Sequence, residues 1–231
     1  MVFKIYVAAA ALLMLSACGA PEIRRLPDGA AGVPGAPPAT GVTAYRIDTA
    51  RSELRVLVYR AGPLARFGHN HVILNRSVDG WVSVAADAVS ASFAVRVPVA
   101  DFLVDDAPAR AAEGEDFSAE VSDDAKAGTR RNMLSAALLD SERFPSIMLT
   151  STAIVERAGQ RLATLRVSVA GRESTIVVPF VLEASADRIA VSGTVQLRQS
   201  QLGLVPFNAL LGALQVQDEI TVKFTLSAVR A

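Results

Sequence analysis

Reactive side chains are scarce in this chain: its 231 residues include one cysteine, two histidines and one tryptophan. A lone cysteine excludes an internal disulfide, so the folded part must be held by packing and hydrogen bonding. Two histidines are too few for a histidine-built metal cage, because a structural zinc site takes about four protein ligands and a catalytic one about three. Basic and acidic residues balance at 23 each, which removes the electrostatic case for a nucleic-acid partner. No Gly-x-Ser-x-Gly elbow and no His-Glu-x-x-His string occurs, so the usual serine-hydrolase and zincin signatures are missing. Glycine-rich strings are confined to PDGAAGVPG, without the strand before and helix after that a dinucleotide loop requires. The chain is therefore not read as an enzyme. Long apolar runs are also missing, except for Ile5 to Ala17 at the N-terminus, and that run is shorter than the roughly 20 residues that span a bilayer.

That run follows Lys4 and leads into Leu15-Ser16-Ala17-Cys18, the positive, apolar and small-residue regions of a secretory signal. The Leu-Ser-Ala-Cys segment is similar to the bacterial lipobox, in which the cysteine is acylated and becomes the mature N-terminus. The expectation is a signal peptide over residues 1–17 and lipid attachment at Cys18, giving a protein anchored to the membrane without crossing it. Gly19 rather than Asp after the cysteine resembles the outer-membrane sorting signal of enteric bacteria, so the expected location is the periplasmic face of the outer membrane. Residues 18–42 are mainly Ala, Gly and Pro and lack periodicity; they read as a tether that would reach roughly 75 Å if fully extended as polyproline II. Residues 43–231 then form one domain, and a composition of 51% hydrophobic and 20% charged residues suits a single sizeable core.

Within that domain the dominant signal is alternation with a period of two. Ile220, Val222, Phe224, Leu226 and Ala228 alternate with Glu219, Thr221, Lys223, Thr225 and Ser227. The pattern recurs at Leu54/Val56/Val58, Phe93/Val95/Val97, Ile147/Leu149, Leu165/Val167/Val169, Ile176/Val178/Phe180 and Ile189/Val191 to Val195/Leu197. Another strand is expected from Gly80-Trp81, and turns are expected at Ala158-Gly159, Ala170-Gly171 and Ala186-Asp187. About eight strands with short connections predict an all-β antiparallel barrel or sandwich. One helix is expected over Ala125 to Leu139, where Met133, Leu134, Ala137 and Leu138 fall at helical spacing. The acidic, small-residue stretch from Asp105 to Asp124 reads as a mobile loop.

Three groups of residues carry a family resemblance. They are Tyr45-Arg-Ile-Asp48 with Ser52; Arg131-Asn132-Met133-Leu134 leading to Leu139-Asp140 and Arg143-Phe144-Pro145-Ser146-Ile147; and Gly203 in QLGLVPF with Val216-Gln217-Asp218-Glu219-Ile220. In order and spacing these residues resemble the YceI-like domain family from about Tyr45 to Ala228. The resemblance implies a lipocalin-like antiparallel β-barrel of about eight strands with one short helix against it, enclosing an apolar cavity that in this family holds a polyisoprenoid chain.

Candidate ligand-binding residues follow from that picture. Phe93, Val95, Phe180 and Phe224 are expected to line the interior, whether it is hollow or filled. Arg130, Arg131 and Asn132, taken to start the helix, are candidates for a polar head such as phosphate or quinone oxygen. Phe67-Gly68-His69-Asn70-His71 contains both histidines; on a strand His69 and His71 would share a face. Metal binding by the pair, with help from a carboxylate such as Asp79 or Asp218, polar contact to a ligand, and structural hydrogen bonding at a turn are all open readings. The function expected is a lipid-anchored envelope carrier for an isoprenoid lipid or quinone-like molecule; an envelope metal binder using His69 and His71 and a structural or partner-binding protein with a filled barrel are the alternatives.

Overall fold

A strand turns successive residues to opposite faces, so the alternating segments can bury one row of side chains while the other row meets water. The computed structural model describes residues 42–85 and 91–231, so the expected signal peptide, Cys18 and the tether up to residue 41 lie outside the described residues. The strands are β1 (Val42–Ile47), β2 (Glu53–Ala61), β3 (His71–Asn75), β4 (Asp79–Ala85), β5 (Ala91–Pro98), β6 (Leu103–Val104), β7 (Ser146–Arg157), β8 (Gln160–Val169), β9 (Arg172–Ala184), β10 (Arg188–Arg198), β11 (Asn208–Ala209) and β12 (Leu214–Arg230). Two helices interrupt them, α1 (Ala107–Ala111) and α2 (Asp123–Leu134). None of the described helices is long and apolar enough to cross a membrane.

The strands close into an antiparallel barrel. β1 and β2 form one bent stave along β12, with Tyr45–Ile47 paired to Arg230–Ala228 and β2 paired from Glu53↔Thr225 to Ala61↔Gln215. β3 and β4 form the next stave, paired to β2 and β1 respectively. β5, β7, β8, β9, β10 and β12 complete the ring of eight staves. Polar side chains secure both bends. Ser52 is buried at the first, where its hydroxyl donates to the Asp48 carbonyl at 2.8 Å and accepts from the Ser227 amide at 3.1 Å. At the second, fully buried Asn75 donates to the Pro98 carbonyl and accepts from the Ser77 amide, both at 2.8 Å.

The Ala-Gly turns behave as the sequence suggests. Ala158 and Gly159 have φ of 50° and 76°, and Ala170 and Gly171 have 47° and 71°; each pair forms the two-residue hairpin loop with both centres left-handed that matches strand twist. Gly171 is required twice over, since an added Cβ would lie 2.5 Å from the Phe144 ring. An alanine in left-handed backbone costs about 1 kcal/mol that asparagine partly avoids. Exposed Ala158→Asn should therefore raise stability by about 0.5 kcal/mol, readable as a higher urea midpoint with an unchanged slope.

Inward-facing residues of the barrel fall into two apolar clusters. Val95, Val97, Leu165, Val167, Val169 and Val178 centre the larger one, which α2 and the following turn close at one end through Met133, Leu134, Leu138 and Leu139. Tyr45, Ile47, Ile189 and Ala228 form the smaller one toward the start of β1. Two expectations change here. The helix begins at Asp123, capped by the Ser122 hydroxyl accepting from the Ala125 amide at 3.3 Å, and ends at Leu134, with Leu138 and Leu139 packing from a turn. The acidic stretch is no free loop: α1 and the segment after it bury Ala109 and Phe117 against Leu57, Val72 and Leu74 on the outer face of β2 and β3. Glu113 clips the same segment to the wall through Arg55 at 3.0 Å and Lys223, its side chain 1% exposed.

Candidate functional site

Phe93, Val95, Phe180 and Phe224 all belong to the larger interior cluster, as expected. Val95 is 3% exposed, but the three phenylalanines are only half-buried. So are Leu54, Val56, Val58, Leu149, Ile176, Val195 and Leu226, on walls that surround the axis. Accessible surface on inward positions is compatible with space along the axis, since a packed core leaves few voids larger than a water molecule. Gly193 faces Phe224 across the β10–β12 pair and seats its ring, since a Cβ there would come within 2.6 Å of it. The buried Ser174 hydroxyl lacks a hydrogen-bond partner among the described residues; it stands opposite Val167 on the inward row of β9.

A polar cluster sits where β3 meets α2. His71 shares the inward row of β3 with Ile73, and its Nδ1 lies 2.7 Å from Asp105 Oδ2 while Thr129 Oγ1 lies 3.3 Å from its Nε2. The other Asp105 oxygen accepts from the Val72 amide at 2.9 Å and from Arg110 Nη1 at 2.7 Å. Arg110 also donates to the carbonyls of Asn70 at 2.7 Å and Ala119 at 2.9 Å. Asp105 is fully buried, with φ at 55°. Burial pushes its carboxyl up, but the His71 ring, the Val72 amide and the Arg110 guanidinium together outweigh that and hold it below the usual carboxylate range. The order Thr129–His71–Asp105 is that of a hydrolytic triad. Its visible consequence is mechanical, because one buried carboxylate ties β3, the α1 segment and α2 together.

Other candidate residues fall elsewhere. Arg130, Arg131 and Asn132 occupy the exposed last turn of α2, not its start, and Arg130 is turned to the Ala100 carbonyl at 2.6 Å. They therefore lack the helix N-terminal amides that would favour an anion. Arg130 borders an open cavity of about 250 Å³ between β6 and α2, lined also by Leu103, Val104, Asp106, Lys126 and Ala127. His69 lies before β3 begins, so the shared strand face is not realised; its ring centroid is 6.1 Å from that of His71. Burial, reinforced by His71 and Arg110, lowers the His69 pKa. Both His71 nitrogens face protein partners, Asp79 is paired to Arg96, and Asp218 accepts from the Ser200 amide at 2.8 Å. Among the described residues no group of three or more His, Cys, Asp or Glu side chains is placed to hold a metal ion, and structural hydrogen bonding is the reading of His71 that its contacts support. Asp105, Arg110 and Thr129 went unnoticed in the sequence, where only their nearness to two isolated histidines in space gives them meaning.

The depressed carboxyls set an acid limit. For Glu113, burial raises the pKa, but the hydrogen bonds and charges of Lys223 and Arg55 outweigh it, so the net shift is downward as for Asp105. A carboxyl whose folded pKa is below its unfolded value contributes stability above about pH 4, and that contribution is lost as pH falls through the folded value. The urea midpoint should hold on this account down to about pH 5 and fall below about pH 4. In Glu113→Gln the fall should be shallower, which a denaturation series in pH would measure.

Residues 45–228 match the family model described as YceI-like domain. No curated protein matches the chain. Among solved structures, Burkholderia cenocepacia BcnA superposes with a TM-score of 0.57 at 16% identity, covering 79% of this chain and 99% of that one. A Campylobacter jejuni YceI protein superposes with a TM-score of 0.47 at 10% identity, covering 68% and 82% respectively.

Proposed function

Because the chain belongs to the YceI-like domain family, we propose that it is an envelope lipoprotein whose barrel carries an apolar, isoprenoid-tailed lipid or quinone-like molecule. The observation that supports this reading is the incomplete burial of inward-facing Leu54, Val56, Phe93, Leu149, Ile176, Phe180, Val195 and Phe224 in a closed barrel. These side chains offer no charge, so a chain of methyl and methylene groups would be held by burial alone, at about 0.8 kcal/mol per methylene before ordering costs. Acylation at Cys18 would keep the barrel beside the bilayer in which such a ligand dissolves, on the periplasmic face of the outer membrane. The protein then works as a carrier and not as a catalyst. Solvent extraction and mass spectrometry of the purified domain test the cargo: a stoichiometric isoprenoid or quinone is expected, and an empty extract from a barrel with a solid interior overturns it. Palmitate labelling tests the anchor, and should disappear in Cys18→Ser.

A further inference from the structure

Two loops at the α2 end of the barrel expose large apolar side chains that no interior needs. Residues 62–70 join β2 to β3, and residues 199–213 join β10 to β12. Phe67 is 64% exposed on the first; Val205 is 68%, Phe207 38% and Leu211 108% exposed on the second. The loops form one unit. The Leu64 amide donates to the Ala213 carbonyl at 2.8 Å, the Val216 amide to the Phe207 carbonyl at 3.0 Å, and a Cβ on Gly62 would lie 2.7 Å from the Ala213 oxygen. The outward placement of Leu211 is held against its own backbone preference, with φ at 55°, a conformation that costs an ordinary side chain energy and persists only where its surroundings enforce it.

The charge carried on the two loops themselves is basic, while Asp218 of β12 holds Ser200 at the base of the second loop and the Asp116 carbonyl accepts from Asn70 at the end of the first. Residues 199–217 contain no Asp, Glu, Lys or Arg, and residues 60–71 contain Arg60 and Arg66 but no carboxylate. The Arg66 guanidinium lies over the Phe67 ring, 4.6 Å from its centroid. An arginine stacked on an exposed aromatic at the edge of an apolar cluster is the pattern of a side chain whose stem enters an apolar layer while its head stays at phosphate level.

We propose that this loop pair is a membrane-docking surface, with Phe67, Val205, Phe207 and Leu211 entering the interfacial layer of a bilayer and Arg60 and Arg66 meeting anionic lipid headgroups. The proposal rests on the envelope-lipoprotein reading for its cellular setting. Geometry permits the two attachments together. β1 begins at Val42 at the opposite end of the stave that finishes at Ala61, and an extended stave of that length spans at most roughly 65 Å. Residues 19–41 would reach roughly 70 Å if fully extended, enough to run back along the barrel. Docking by this end sets the α2 end of the barrel on the membrane.

Residues 42–231 contain the whole ring and every cluster of its core, so this anchor-free domain can be tested by itself with phosphatidylcholine vesicles, with and without phosphatidylglycerol, in flotation. Binding is expected, strengthened by phosphatidylglycerol and weakened by salt. Phe67→Ser with Leu211→Ser should lower the bound fraction about tenfold, Arg66→Glu should remove the preference for anionic vesicles, and Val177→Ser with Val181→Ser on the exposed side wall should change nothing. No vesicle binding by the unmutated domain, equal binding by the loop variants, or loop variants that only dissociate a dimer in size-exclusion chromatography would each overturn the proposal. Should a loop variant misfold by circular dichroism, quenching of a fluorophore on Leu211→Cys in the Cys18-free domain by brominated lipid decides the same point. Mass spectrometry of the same samples separates the two readings: a domain that retains its cargo but ignores vesicles refutes docking and leaves the carrier intact.

Discussion

Asp105→Asn should destabilise the domain by about 3 kcal/mol, the largest loss expected from any single isosteric change here. The substitution keeps the shape of the side chain and suits the left-handed backbone at φ 55°, which asparagine tolerates well. What it removes is the charge that offsets Arg110, whose side chain is 10% exposed beside a carboxylate that is fully buried. Breaking one half of a buried pair leaves the other half uncompensated, whereas replacing both halves by apolar groups is often close to neutral. Asp105→Asn with Arg110→Met should therefore recover much of the loss, and Asp105→Ala should cost about 1 kcal/mol more than Asp105→Asn because it adds left-handed strain. Urea denaturation of the four proteins measures this. Equal losses in the single and double variants would mean that the cluster stabilises through packing and not through charge compensation.

Leu149→Phe combined with Val195→Phe should abolish cargo binding, by at least about tenfold, while changing stability by less than about 1 kcal/mol. The two residues stand on β7 and β10, on different parts of the ring, and both are inward and half-buried. In a filled core each enlargement would force neighbours off their rotamers at about 1–3 kcal/mol; in a hollow one the new rings occupy the space the cargo would use. The pair of readouts matters more than either alone. Lost binding with retained stability identifies a ligand cavity, and lost stability with no change in extracted lipid identifies a packed interior.

Much of the barrel was legible because strand alternation is a local property. Inward rows such as Ile176/Val178/Phe180 and Phe224/Leu226/Ala228 appear where the pattern puts them, and Ala158-Gly159 and Ala170-Gly171 supply turns whose backbone requirement is written in the residues themselves. The Asp105–Asp124 stretch was misleading for the opposite reason. Its composition is that of a solvated loop, and what folds it is a few long-range contacts: Phe117 against Tyr59, with ring centroids 5.7 Å apart, Arg110 against Asp105, and Glu113 against Arg55. Arg130, Arg131 and Asn132 drew notice as a cluster of donors, yet the neighbouring Thr129 is the residue that α2 turns to His71.

The sequence by itself determined which side chains could face the barrel axis, where the hairpins turn, and that no disulfide would help. Only the tertiary structure decided that many inward residues keep some accessible surface, that His71 is held by Asp105 and Thr129 and is not paired with His69 on one strand face, and that the loops carrying Phe67 and Leu211 are tied together at one end. Period and composition report what each residue prefers locally. Whether a ring of staves is wide enough to remain hollow, and which polar groups meet across it, depends on the closure of β12 onto both β10 and the bent β1–β2 stave, a contact between residues far apart in the chain that no local pattern encodes.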